Sequence, residues 1–214
     1  MRFTTSEQNE SKIMHLISDV IFCAKAFKKF KADDDQKIIN HRNEIVTQLL
    51  DFKNTAYPIY GAMVTDMLYA VLIYFIDEVV HESLNFKKWH LLQEELLNCN
   101  DGGQHFFELC QQVVDNPSLP IIAHKTLYII LANKFRGIYY DDVNKRNMFK
   151  QKLHYYIEQN DYWINAYEDT ALSPILHFEK NQWYNRLNNR YFTNVTIGLL
   201  GLSLVSYIGV YFFL

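Results

Sequence analysis

Glu78 and His81 stand three residues apart in the run Glu78-Val79-Val80-His81, a spacing that sets a carboxylate and an imidazole on one face of a helix, as di-iron bundle enzymes do. Such a centre takes two Glu-x-x-His steps and two further glutamates, and no second step occurs in the chain. The zinc helix HExxH, the phosphate loop GxxxxGK(S/T), the dinucleotide pattern GxGxxG and the nucleophile turn GxSxG are missing as well. The other histidines are scattered singly. Cys23, Cys99 and Cys110 lie far apart, with no CxxC and no Cys/His metal spacing, which suits packing thiols in a reducing cytosol. The residues predict no catalytic constellation, no metal and no cofactor.

Asp77 and Glu78 raise a different question, because two adjacent charges directly follow ten uncharged, mostly apolar residues, 67–76. A buried carboxylate is costly unless a partner or hydrogen bonds hold it. If a helix ended at this pair, its negative terminus would oppose both charges. Either the helix runs on through Val79, Val80 and Leu84, or the pair faces a groove and a basic partner; a solvated helix end is the plain alternative. Arg136, at the end of another apolar segment, is a candidate partner for one of the carboxylates.

The elements that must position these groups read as helices. Seven glycines and four prolines are few for a chain of 214 residues and argue against many short strands. Ile13, Leu16, Ile17, Val20, Ile21, Ala24 and Phe27 recur at helical spacing over 12–30. Residues 33–35 cap a second helix, with Ile38, Ile39, Ile45, Val46, Leu49 and Leu50, broken before Pro58. A third runs over 59–84. Its ten-residue apolar run is too short to cross a membrane and belongs at the centre of a bundle. A short helix over 86–97 turns Trp89, Leu92, Leu96 and Leu97 inward. Asn100, Asp101, Gly102 and Gly103 form a turn that opens a helix through Phe106, Phe107, Leu109, Cys110, Val113 and Val114, closed by Asn116 and Pro117. A further apolar helix covers 121–135, with Gly137 as its C-cap, and a last one covers 142–159. The fold class is all-α.

Residues 191–214 contain no charge and carry about 20 apolar positions, enough to span roughly 30 Å of hydrocarbon. Lys180, Arg186 and Arg190 flank that span and favour a cytoplasmic location for residues 1–190, which puts the C-terminus across the membrane. The polar N-terminus does not read as a signal peptide. The formal charge of −3 lies wholly before the span and gives no basic excess for nucleic acid. Two parts follow: a cytoplasmic helical domain, 1–190, and a C-terminal transmembrane anchor, 191–214. Within the anchor Gly198, Gly201 and Gly209 fall within about 80° on a helical wheel, a small-residue stripe against which another membrane helix could pack.

Over residues 68–140 the order of features resembles the DotU/TssL (IcmH) family of bacterial type VI and type IVB secretion systems. The matching features are an apolar helix closing on Ile76-Asp77-Glu78, then Trp89, then Gly102-Gly103-x-x-Phe106-Phe107, then Leu127-Tyr128, then Phe135-x-Gly137-x-Tyr139. The chain departs from the family pattern after Gly137, where Ile138-Tyr139-Tyr140 replaces Arg-Tyr-Arg, and it lacks the Pro-Trp step after the acidic pair. The resemblance implies a hook-like cytoplasmic domain of two small helical bundles and a single-pass anchor in the bacterial inner membrane. It further implies a non-enzymatic part that joins a TssM/IcmF-type inner-membrane protein to cytoplasmic baseplate proteins. Asp77 and Glu78 would line a docking groove there, and Gly102, Gly103, Phe106, Phe107, Gly137 and Tyr139 would maintain the fold. A homodimer is a further expectation among its partners. The rival readings are a Bcl-2-like tail-anchored regulator, whose Asn-Trp-Gly-Arg motif is absent, and an anchored enzyme with a dispersed site.

Overall fold

The computed structural model describes residues 5–30, 35–83 and 89–160. Every regular element among them is helical. Helix α1 (Thr5–Ala26) continues as a 3-10 turn over Phe27–Lys29, and Ile13, Ile17, Val20, Ile21, Ala24 and Phe27 are buried as their spacing predicts. Met14 and Cys23 join them, while Leu16 is half-buried.

Helix α2 (Asp35–His81) takes in both segments expected to be separate, and the break falls at Gly61 rather than before Pro58. Pro58 removes one amide from the helical ladder and weakens it locally. Gly61 then adopts φ 75°, ψ 175°, a conformation open to a residue without Cβ. Nothing lies within 4 Å of the point a Cβ would occupy, so the requirement there is conformational, not steric. Before the break α2 is amphipathic: Ile38, Ile45, Leu49, Phe52 and Ala56 are buried, whereas Ile39 and Leu50 are exposed. After it Leu68, Tyr69, residues 71–77, Val79 and Val80 are all buried, the central position expected of the ten-residue apolar run. By length and composition α2 alone among the described helices could cross a membrane. Its apolar stretch is instead enclosed by protein, with α1 along it and the later helices packed around it.

Four shorter helices follow: α3 (Leu92–Leu97), α4 (Gly102–Asp115), α5 (Ile121–Ala132) and α6 (Val143–Asn160). Trp89 is buried but precedes α3 instead of lying on it. Helix α5 stops three residues short of expectation. The Lys134 N–H bonds the Leu131 carbonyl and the Phe135 N–H bonds the Ile130 carbonyl, a Schellman ending whose left-handed residue is Lys134, φ 71°. Gly137 is therefore not the cap of α5. It is a second left-handed residue, φ 47°, and opens a 3-10 turn over Gly137–Tyr139. Asp142 accepts the Lys145 amide hydrogen at 2.8 Å and so caps α6. Buried Lys125 of α5 pairs with Glu10 of α1. All three cysteines are free thiols, Cys23 and Cys110 buried and Cys99 half-buried. The expected anchor, with Gly198, Gly201 and Gly209, lies outside the described residues.

Candidate docking site

The helix carrying Asp77 and Glu78 runs four residues past Asp77, so neither carboxylate meets a helix C-terminus head on. Successive residues on a helix point about 100° apart. The pair accordingly serves two receptors. Asp77, 3 % exposed, accepts the Trp89 indole N–H at 2.8 Å and the Leu92 amide at 2.9 Å on Oδ1, and the Gln93 amide at 2.8 Å on Oδ2. Leu92 and Gln93 are the first two residues of α3, whose own N-cap, Leu91, has no side-chain acceptor to offer. Asp77 caps α3 from another helix. A six-residue helix is too short to stand alone, and a negative charge at its start favours it further.

Glu78 faces the other way and accepts the amides of Arg136 and Gly137, each at 2.7 Å. Arg136 thus meets Glu78 through its main chain, while its guanidinium lies 3.6 Å from Glu82 and stacks 4.7 Å above the Tyr140 ring. Lys28 bonds Glu82 at 2.8 Å. The Glu-x-x-His step holds no metal geometry: Glu78 is committed to these amides, and His81 is exposed at the end of α2. Burial pushes the Asp77 and Glu78 carboxyls above the usual carboxylate range, and the N–H donors pull the other way.

Both receptors lead to one place. The Gln93 side-chain oxygen accepts the Gly102 amide at 2.9 Å, so Asp77 reaches the start of α4 through Gln93. Gly137, held by Glu78, packs so closely on Gly103 that a Cβ on Gly103 would sit 3.1 Å from the Gly137 Cα. A Cβ on Gly102 would strike the Gln93 oxygen and the Tyr74 ring. Two adjacent acids therefore hold two adjacent glycines through separate intermediaries. Behind this corner Phe106, Phe107, Phe135, Tyr139 and Phe149 stack together, with Phe106 and Phe135 centroids 4.2 Å apart. On its outer side Ile138, Tyr140 and Val143 are more than half exposed. Gln93 gave no sign of its role in the sequence, and neither did the Trp89 bond, because 12 and 16 residues of chain separate these donors from Asp77.

An all-α protein in which a buried and a half-buried acid on one helix brace the backbone of distant segments is the class that fold and site define. The family model for type VI secretion system protein DotU matches residues 12–214, and the chain belongs to that family. The solved structure of DotU from Francisella novicida is similar, with a TM-score of 0.62 at 25% identity, covering 67% of this chain and 97% of that one. No curated protein matches. Family membership makes the chain a type VI secretion system component.

Proposed function

We propose that this chain is a non-enzymatic scaffold of the secretion system's membrane complex. It would join a TssM/IcmF-type inner-membrane protein to cytoplasmic baseplate components, with residues 1–190 in the cytoplasm and 191–214 as the single-pass anchor ending in the periplasm. The family match over residues 12–214 carries the reading. A hook-like division of the cytoplasmic part into two small bundles belongs to the same proposal. The geometry supports an indirect role for the acidic pair within this proposal. Asp77 and Glu78 act on docking by fixing the backbone of the Arg136–Tyr140 corner and of α3, and the partner meets what that corner presents: the Arg136 guanidinium with exposed Ile138 and Tyr140.

Detergent co-purification of the full chain from its native bacterium, followed by mass spectrometry, tests the reading. Recovery of a large inner-membrane protein with baseplate components supports it, and recovery of the chain alone, or with metabolic enzymes, overturns it. Arg136→Ala and Tyr140→Ala should reduce recovery of a partner without lowering the melting temperature. Gly201→Leu with Gly209→Leu should release the membrane partner if the glycine stripe packs against it.

A further inference from the structure

Helix α6 differs from the rest of the chain in its charge. It carries Lys145, Arg146, Lys150 and Lys152 against a single acid, Glu158, in a protein whose formal charge is −3. Phe149, Leu153 and Ile157 bury one side of the helix. At about 100° per residue the opposite side is the line of Asn144, Gln151 and Tyr155, which fall within about 40° of one another. Lys145 and Lys152 border that line on one side, Lys150 and His154 on the other. These cations differ in how far they are satisfied. The Arg146 guanidinium bonds the carbonyls of Tyr139 and Tyr140, and His154 lies 3.4 Å from Glu158. Lys145 lies 5.8 Å from the centre of the Tyr139 ring, and no acidic side chain among the described residues pairs with Lys145, Lys150 or Lys152. Asp141 and Asp142 stand before the helix, where Asp142 caps it. Tyr155, between the two lysine borders, is 66% exposed.

We propose that the outer face of α6 lies against the anionic lipid headgroups of the membrane that anchors the chain. The proposal rests on the single-pass anchor put forward above, to which α6 is joined by residues 161–190. Those residues reach at most about 100 Å, so an anchored chain holds α6 near one leaflet, and a weak attraction suffices at such a local concentration of headgroups. Three features favour lipid over an acidic protein. The unpaired cations are lysines, hydrated point charges on flexible stems that suit a diffuse field, whereas protein interfaces deplete lysine and enrich arginine. The one arginine of α6 is already committed to backbone carbonyls. The aromatic residue at the centre of the face is a tyrosine, a residue type enriched at headgroup level. The apolar side of α6 is used up within the protein, so the contact is made on the headgroups and not by insertion. Each lysine brought to an anionic surface strengthens binding about fivefold, and the attraction fades within a Debye length of about 8–10 Å.

The test places the full chain in nanodiscs of phosphatidylcholine alone or with about 30% phosphatidylglycerol and follows the acetylation rate of each lysine by mass spectrometry. Lys145, Lys150 and Lys152 should react about 3-fold or more slowly in the anionic discs, relative to Lys37 of α2, and recover in about 0.5 M salt. Lys152→Glu, a change at an exposed position, should restore Lys145 and Lys150 to the rates seen in phosphatidylcholine. Equal rates in the two compositions, from a chain that stays with the discs through alkaline washing, overturn this proposal and leave the anchor standing. Release of the chain by that washing overturns the anchor and this proposal with it. Equal rates in both discs, together with slow reaction of the same lysines in the intact bacterium, assign the face to an acidic protein and overturn the lipid assignment.

Discussion

Asp77 and Glu78 are neighbours on one helix and do the same kind of work in different surroundings. Asp77 is sealed in and holds a side-chain donor as well as two amides, all on the segment that begins with Trp89. Glu78 is half-buried and holds two amides at the Arg136–Gly137 corner, within a surface group of Lys28, Glu82 and Arg136. The difference teaches that a carboxylate's donors, more than its charge, set what its loss does. Where water cannot replace the acid, removal leaves orphaned donors; where water can, it loosens a corner.

The largest effect should come from the sealed acid. Asp77→Ala leaves the Trp89, Leu92 and Gln93 N–H groups without an acceptor and should cost about 3–5 kcal/mol, read as a fall in melting temperature with loss of the tryptophan near-ultraviolet signal. An unchanged signal would mean that the Trp89 segment does not depend on Asp77.

Glu78→Gln should cost less, about 1–2 kcal/mol, because one oxygen still accepts and the corner is partly wet. Its pH dependence sharpens the contrast with ordinary surface acids. Burial raises the folded-state value of Glu78 above its unfolded one, so the folded chain binds the proton more readily. Glu78's contribution is full below its unfolded value and is lost as pH rises through the folded value. The stability of the unaltered chain relative to Glu78→Gln should therefore be greater at about pH 5 than at about pH 7. An advantage that shrinks on acidification would show the hydrogen bonds outweighing burial.

The separate routes to α4 predict selective coupling. Asp77→Asn and Gly102→Ala share Gln93 and should be non-additive by about 0.5–1 kcal/mol, and Glu78→Gln and Gly103→Ala should be non-additive through Gly137. The crossed pair, Asp77→Asn with Gly103→Ala, should add. Equal coupling in all three cycles would reduce the two receptors to one.

Much of the helical order was legible because it is written locally. The spacing of Ile13, Ile17, Val20 and Ile21 foretold a buried face, the all-round apolar run before Asp77 foretold a central helix, and Gly102 foretold the start of α4. Boundaries were harder where backbone geometry decided them. The break expected before Pro58 falls at Gly61, and Lys134 takes the left-handed position expected of Gly137. The site was legible as an oddity, two charges after an apolar run, but its donors are backbone amides and one indole brought from distant segments. Amides are present at nearly every residue and so leave no mark in composition.

The smallest prediction concerns the two helix ends that feed these receptors. Helix α3 ends on Asn98 at φ 53° and α5 ends on Lys134 at φ 71°. Asparagine enters the left-handed region at little cost because its short side chain bonds locally, whereas lysine bears the Cβ–carbonyl clash in full. Lys134→Gly should therefore raise stability by about 0.5–1 kcal/mol, and Asn98→Gly by clearly less, in thermal melts of the full chain. Glycine also loosens the unfolded chain, which works against both substitutions equally and leaves their order intact. Equal gains at the two positions would mean that Lys134 is held left-handed without strain, by the Schellman bonds and by the Glu78-bound corner two residues on.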